Sequence, residues 1–294
     1  LVTVGGNITL TPNGANLAAI TFAGAGTLQV AGDFGDGGTF TPATGTVIYN
    51  GAGAQNLGVY TYNALNFTKA GGSATASGNV TAATLTFAAA NAGLVSMGAN
   101  TLAVTGNCTT SVTRSGAGHV IGLTRLTWPN GNATCTYPLG DATNYTPITL
   151  ALTGSGSGTL TGSVTNADHP QKGFWPLSFT RYVRRYWSLR QTGDTLATAT
   201  SYNATLNWVA GDIQWGAAPV SFIAARYQSA WTTPNPAVSG NTASSLVVNN
   251  VTAGFASSVD FAVGEAYACA PPSNAPVGVS CVCDDFRRAA LNPS

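Results

Sequence analysis

The chain has 294 residues, a formal net charge of +1, and 7% charged against 44% hydrophobic residues. That length allows two domains with a substantial core, and the apolar share argues against disorder. Eleven Lys and Arg cannot build a phosphate-neutralising surface, so nucleic acid is excluded as a partner. Thr, Asn, Ser and Gly must supply the wet surface, as in extracellular β proteins. No run reaches the roughly 18 apolar residues of a membrane helix, so no transmembrane segment is expected. There is also no basic n-region followed by an apolar h-region. The chain starts at Leu1 rather than Met, which fits a secreted protein whose signal peptide has been removed.

From Leu1 to Asn107 the only acidic or basic side chains are Asp33, Asp36 and Lys69. A small unit of glycine, Asn or Asp, then an apolar residue returns as Gly6-Asn7-Ile8, Gly32-Asp33-Phe34, Gly78-Asn79-Val80 and Gly106-Asn107-Cys108. Its steps of 26, 46 and 28 residues suggest a repeat of roughly 23–28 residues with one diverged copy. A second echo is Ile20-Thr21-Phe22, Leu65-Asn66-Phe67 and Leu85-Thr86-Phe87. Strands are predicted at 1–4, 8–10, 19–22, 27–30, 39–41, 46–49, 64–68, 85–87 and 102–105. Turns at Asn13-Gly14, 24–26, 35–38 and Gly71-Gly72 separate them. No 3.6-residue period is sustained, so essentially no helix is expected. The pattern predicts a parallel β-solenoid (β-helix) over 1–113, with four to five coils stacked about 4.8 Å apart. Both ends should be uncapped β edges, and Val2, Thr3 and Val4 are the candidate assembly edge.

Past Cys108 the chain changes, with Arg114, His119, Arg125 and Trp128 appearing close together. Longer, more aromatic strands are predicted at 148–153, 158–164, 180–189, 204–209, 220–228, 245–251 and 258–263, with prolines between them. Residues 114–268 therefore read as an antiparallel β-sandwich, and 269–294 as a Cys- and Pro-containing linker or tail. The fold class is all-β. The disulfide candidates are Cys108, Cys135, Cys269, Cys281 and Cys283. Cys108 with Cys135 would cross the domain boundary, and Cys269 could pair with either of the last two. An odd cysteine count leaves one free or paired outside the chain, and an oxidising compartment is favoured. No CxxC pair exists and only two histidines do, so neither a zinc site nor any other cofactor is expected. Eight Asn-x-Ser/Thr sequons, beginning at Asn7, Asn66, Asn79, Asn107, Asn132, Asn144, Asn203 and Asn250, are read as products of a Thr/Asn-rich composition.

Two stretches resemble known families. The segment from Gly38-Thr39-Phe40-Thr41-Pro42-Ala43-Thr44-Gly45-Thr46-Val47-Ile48-Tyr49 to Asn56-Leu57 resembles the Thr/Asn/Gly repeats of bacterial cell-surface, adhesin-like proteins. The tail from Cys283-Asp284-Asp285-Phe286-Arg287-Arg288 to Ser294 resembles the opening of a concanavalin-like module in accessory proteins of the mannose-sensitive haemagglutinin pilus. Both resemblances imply surface attachment or appendage structure rather than catalysis, and the second implies that the chain belongs to a larger secreted protein.

Catalytic chemistry is thin. A polysaccharide lyase or hydrolase on a β-helix needs clustered or paired carboxylates. The solenoid offers only Asp33 and Asp36 on one turn, which reads as a hydrogen-bonded turn in preference to a calcium site. Asp168-His169 is the one acid–His neighbour pair, and no G-x-S-x-G elbow is present. The densest polar feature is 181–190, which holds four of the nine arginines. Strand alternation points Val183, Trp187 and Leu189 to the core and puts Tyr182, Arg184, Tyr186 and Arg190 on the other face. That face is a candidate for stacking and holding glycans, or for docking a subunit or forming a structural Arg–Tyr ladder, which is preferred. Trp175, Trp215 and Trp231 are further exposed candidates. The expectation is a non-catalytic, secreted bacterial surface protein that assembles with copies of itself into a fibre or appendage. The alternative is a monomeric carbohydrate-binding adhesin stalk, ahead of a polysaccharide-active enzyme.

Overall fold

A computed structural model of the chain describes residues 1–11, 17–190, 193–196, 201–232, 236–252, 255 and 257–267. The predicted turn at Asn13-Gly14, Cys269, Cys281, Cys283 and the tail 269–294 lie outside these. The fold is all-β: a parallel β-solenoid that runs into an antiparallel two-sheet sandwich.

The solenoid comprises β1 (Val2–Val4), β2 (Ala19–Thr21), β3 (Thr27–Val30), β4 (Thr39–Thr41), β5 (Thr46–Tyr49) and β6 (Gln55–Leu57). It continues through β7 (Thr61–Phe67), β8 (Ser73–Ala76), β9 (Val80–Phe87), β10 (Leu94–Asn107), the helical turn α1 (Cys108–Ser111), β11 (Val112–Arg114) and β12 (Val120–Trp128). Its main ladder stacks Val2, Leu28, Val47, Leu65, Leu85 and Val112 in one column, all in parallel register. In the middle the step is shorter than the glycine motif suggested: from Leu28 to Val47, Leu65 and Leu85 it is 19, 18 and 20 residues. From Leu28 to Leu85 each rung buries an apolar side chain that no single rung could cover, while Val2 at the end of the column is exposed. The rings of Tyr49, Phe67 and Phe87 stack at centroid spacings of 5.6 and 5.5 Å.

The Asn/Asp positions explain themselves at the corners. Asn7 Oδ1 accepts the Asp33 N–H at 2.8 Å, and Asp33 Oδ1 in turn accepts the Asn56 N–H at 2.7 Å. Each side chain thus bonds a backbone donor of the next rung, which the bend takes out of the ladder. Gln55-Asn56-Leu57 is therefore the diverged copy. Gly32 is required by close approach, since a Cβ there would lie within 2.5 Å of the Gly6 carbonyl oxygen. The third copy does the same work at another corner, where Asn79 Oδ1 accepts from Thr101 N at 2.9 Å. The fourth still pairs with the next rung, Asn107 opposite Thr127, but its side chain turns back on its own chain. Asn107 caps α1 by accepting from Thr109 N at 3.0 Å; this turn begins at Cys108, just past the 1–107 stretch, where no helix is expected and none is found among the described residues. The strand predicted at 8–10 also reduces to a single bridge, Ile8 to Phe34.

The sandwich is built from β13 (Gly131–Tyr137), β14 (Ile148–Ser155), β15 (Gly158–Thr165), β16 (Leu177–Leu189) and β17 (Ser201–Asn207). It is completed by β18 (Phe222–Gln228), β19 (Ala230–Trp231), β20 (Val238–Ser239), β21 (Ser245–Val251) and β22 (Val259–Ala266). One sheet has the order β13-β14-β17-β21-β20. The other, β15-β16-β22-β18-β19, is continuous with the solenoid ladder through β12, which pairs parallel with β10 and antiparallel with β15. The two open rod ends expected from the sequence are thus corrected to one: the sandwich occupies the edge of β12. The boundary drawn at 113/114 falls inside β11. Cys108 and Cys135 form a disulfide, Cα–Cα 5.6 Å, that ties α1 to β13 across this junction.

Candidate functional site

At the uncovered end, β1 pairs with β3 alone and β2 with β4 alone among the described residues. Val2 is 59% exposed, Thr3 is exposed and Val4 is half-buried. No acidic or basic side chain precedes Asp33, so the edge carries none of the charges with which proteins discourage strand addition. Asp33 and Asp36 are hydrogen-bond acceptors for the next rungs, from Asn56 N, Val59 N and Ser77 Oγ.

Strand β16 distributes the arginine-rich stretch differently from simple alternation. Val183, Trp187 and Leu189 are buried as expected, and Arg184 is exposed. Tyr186 and Arg190 are half-buried, and the Arg190 guanidinium reaches the Leu196 carbonyl at 3.3 Å. Tyr182 does not line an exposed face, because β16 carries a second apolar layer. Its ring packs on Trp175, with centroids 5.0 Å apart, beside Leu177, Ala225 and Ala262. The hydroxyl donates to Asp168 Oδ1 at 2.9 Å, Lys172 Nζ bonds the same carboxylate at 3.1 Å, and Arg184 Nε stands 4.0 Å from it. Burial raises the Tyr182 pKa. Trp175 is likewise buried rather than exposed, Trp231 is half-buried, and Trp215 is 81% exposed.

Asp168 and His169 are sequence neighbours but not partners. His169 is buried, its Nδ1 accepts the Gln171 N–H at 3.0 Å, and this orients Nε2–H to Asp260 Oδ2 at 3.0 Å. Both ring nitrogens are thereby satisfied, and no described hydroxyl is bonded to the imidazole. The ring backs an aromatic cluster, with Trp231, Tyr186 and Tyr227 at centroid distances of 4.8, 5.0 and 5.2 Å. In front lies an open groove of about 370 Å³ between the Gln171–Pro176 segment and the β18–β19 hairpin. Trp231 Nε1 donates to the Gln171 carbonyl at 3.0 Å and locks the two walls together.

Sequence reasoning missed Arg185, an odd-numbered neighbour of the core positions. It is 1% exposed, inside the sandwich core. Its Nε and Nη2 bond Asp212 at 2.8 and 3.1 Å, Nη2 also bonds Asp141 at 2.6 Å, and Nη1 bonds Thr146 at 3.1 Å. Burial alone would raise the Asp141 carboxyl, but Arg185 and the N–H groups of Thr143 and Asn144 outweigh it and hold the pKa well below the usual range. The available signal was the strand period itself, which places position 185 between Val183 and Trp187 on the core face.

Among the described residues no group of three or more His, Cys, Asp or Glu side chains is placed to hold a metal ion, and no helix is long and apolar enough to cross a membrane. No protein-family model matches the chain, and no curated protein or solved structure does either.

Proposed function

We propose that the chain is a non-catalytic, secreted structural subunit of a self-assembling extracellular fibre or appendage. One observation carries this reading: the uncharged, exposed edge of β1 at the open end of a regular parallel ladder. Main-chain hydrogen bonding to a strand of another copy meets no electrostatic penalty there. Because β12 is already paired with β15, the acceptor on the next copy must be a different edge. In the second sheet β13 is the longest edge strand, and its seven residues carry no acidic or basic side chain. A β1-to-β13 contact joins unlike surfaces, so it leaves an edge free on each copy and propagates into a filament wherever the rotation between copies does not close a ring. Electron microscopy and sedimentation of the purified protein test this. Fibres are expected, and Val2→Glu with Thr3→Glu should abolish them while the monomer keeps its melting temperature. Polymer that survives these substitutions counts against the edge, and a monodisperse particle near 30 kDa counts against self-assembly.

A second reading, a carbohydrate-binding stalk, is favoured by the exposed aromatic and arginine side chains around β16. Its sequence-derived site loses Tyr182 to the interior and keeps Arg184 at the surface.

A further inference from the structure

We infer that the groove between the Gln171–Pro176 segment and the β18–β19 hairpin, and not the arginine face of β16, is a binding subsite for a neutral hexopyranose unit of a polysaccharide. The inference rests on the carbohydrate-binding reading and is independent of fibre formation.

The groove is walled by Phe174, which is 69% exposed, and by the half-buried rings of Tyr227 and Trp231. The Tyr227 and Trp231 rings are held in place. Trp231 is fixed by its bond to the Gln171 carbonyl and packs against His169, Tyr227 and Trp175 at 4.8, 5.1 and 6.1 Å. His169 is in turn held by Asp260 and the Gln171 N–H. An aromatic held this way loses little freedom on binding, which is what a contact anchor requires. The hairpin turns at Ser229, a non-glycine residue at φ +64°, so the backbone is strained beside the groove. Such strain clusters at ligand clamps.

The chemistry of the lining selects the ligand. None of its residues is acidic or basic. The nearest carboxylates are already engaged, Asp168 by Lys172 and Tyr182, and Asp260 by His169. Lys172, in the same wall segment, is engaged by Asp168 and Tyr182, so a charged ligand would be desolvated without an unpaired counter-charge, which is unfavourable. A pyranose ring presents an apolar C–H face that stacks on an aromatic ring and a hydroxyl rim that needs neutral donors and acceptors. Gln171, with a neutral carboxamide, and Ser229 line the groove, and the Ser229 hydroxyl, which donates to the Gln228 carbonyl, keeps its acceptor capacity. The groove is open rather than enclosing, which suits one residue of a long chain lying across the surface better than a small molecule buried in a pocket.

The test is co-sedimentation of the intact chain with cellulose, chitin and mannan, with alginate as an anionic probe and decaproline as a peptide probe. Retention on at least one neutral polysaccharide is expected, weakened about tenfold by Phe174→Ala and by Trp231→Ala and weakened less by Trp231→Phe, which keeps an aromatic face but loses the bond to the Gln171 carbonyl. Phe174 is exposed, so its variant tests the groove without threatening the fold. Retention unchanged in the groove variants but lost in Arg184→Ala with Tyr186→Ala would overturn the groove and leave the carbohydrate reading standing. Binding to alginate or decaproline alone would overturn the ligand class. No retention on any of the three neutral polysaccharides would overturn both.

Discussion

Replacing Arg185 with Met should cost about 3–5 kcal/mol, because it leaves a carboxylate buried without its partner. The three Arg185 partners are not equal. Asp212 is buried and receives two guanidinium bonds, and its remaining acceptor contact is the Val209 N–H at 3.1 Å. Asp141 keeps its bonds from Thr143, Asn144 and Asn166, and Thr146 loses one neutral bond. The cost therefore resides in Asp212, and removing that charge should recover part of it. Urea unfolding followed by tryptophan fluorescence is the assay, with Arg185→Met compared against Arg185→Met with Asp212→Asn. The double variant should be more stable than the single by at least about 1 kcal/mol. Acid adds a second readout. The folded pKa of Asp141 lies below its unfolded value of about 3.9, so its contribution is complete above that pH and is lost as pH falls through the folded value. Arg185→Met removes the strongest lowering partner, and its stability should fall less than the wild type's below about pH 4. A single variant costing under about 1 kcal/mol, or a double variant no better than the single, would refute the assignment of Arg185 as the neutraliser of a buried charge.

Two further outcomes follow from the same reasoning. Opening the disulfide with Cys108→Ser and Cys135→Ser releases a loop of 27-residue separation, and chain entropy puts the loss at about 3.5 kcal/mol at 25 °C; a loss under about 1 kcal/mol by urea unfolding would mean that the junction is held by its sheet alone. Lys69 is fully buried, burial lowers its pKa, and its ammonium bonds Gly51 O, Gly53 O and Gln55 Oε1 at 2.7, 2.8 and 2.6 Å. Lys69→Met strands these acceptors, at about 1–3 kcal/mol, and hydrogen exchange should quicken first at the 51–55 corner; unchanged protection there would remove Lys69 as the tie between rungs.

Much of the fold was legible because its periodicities are carried by side chains that each have one job. Leu65-Asn66-Phe67 and Leu85-Thr86-Phe87 echo each other and pair residue for residue. Ile20-Thr21-Phe22 carries the same signature on a different ladder, facing β4. The glycine–Asn unit marked corners correctly but not which corner, since an Asn that bonds the next rung and an Asn that caps a helix read alike. β6, β8 and β11 were missed because Gln55-Asn56-Leu57, Ser73–Ala76 and Val112–Arg114 are short and weakly apolar, and gain their pairing only from neighbouring rungs. β12 and β13 were also missed, although they are long, because charge and bulk in 114–128 read as a change of domain and not as strand. On the site, alternation worked for Val183, Trp187 and Leu189. It misled for Tyr182 because both faces of β16 are covered there, and a second layer is a tertiary fact. The groove was beyond reach in the sequence: Gln171 and Trp231 lie 60 residues apart and meet through one hydrogen bond.

The single open end changes what polymerisation would look like. A rod open at both ends could stack on itself indefinitely, whereas this one, among the described residues, pairs β1 on one side only and carries a sandwich at the other end. Two copies joined β1 to β1 about a two-fold axis perpendicular to the sheet would pair antiparallel and close as a dimer. Such an interface uses the same patch twice and exhausts it. Only a contact between β1 and a different edge leaves one β1 free for the next copy. Sedimentation therefore separates the two geometries by mass alone. A species of twice the monomer mass that is abolished by Val2→Glu with Thr3→Glu would mean that the edge is sticky but the protein is a dimeric stalk. Fibres abolished by the same substitutions require a second edge, and β13, uncharged and strand-paired with β14 alone among the described residues, is where charges should next be placed.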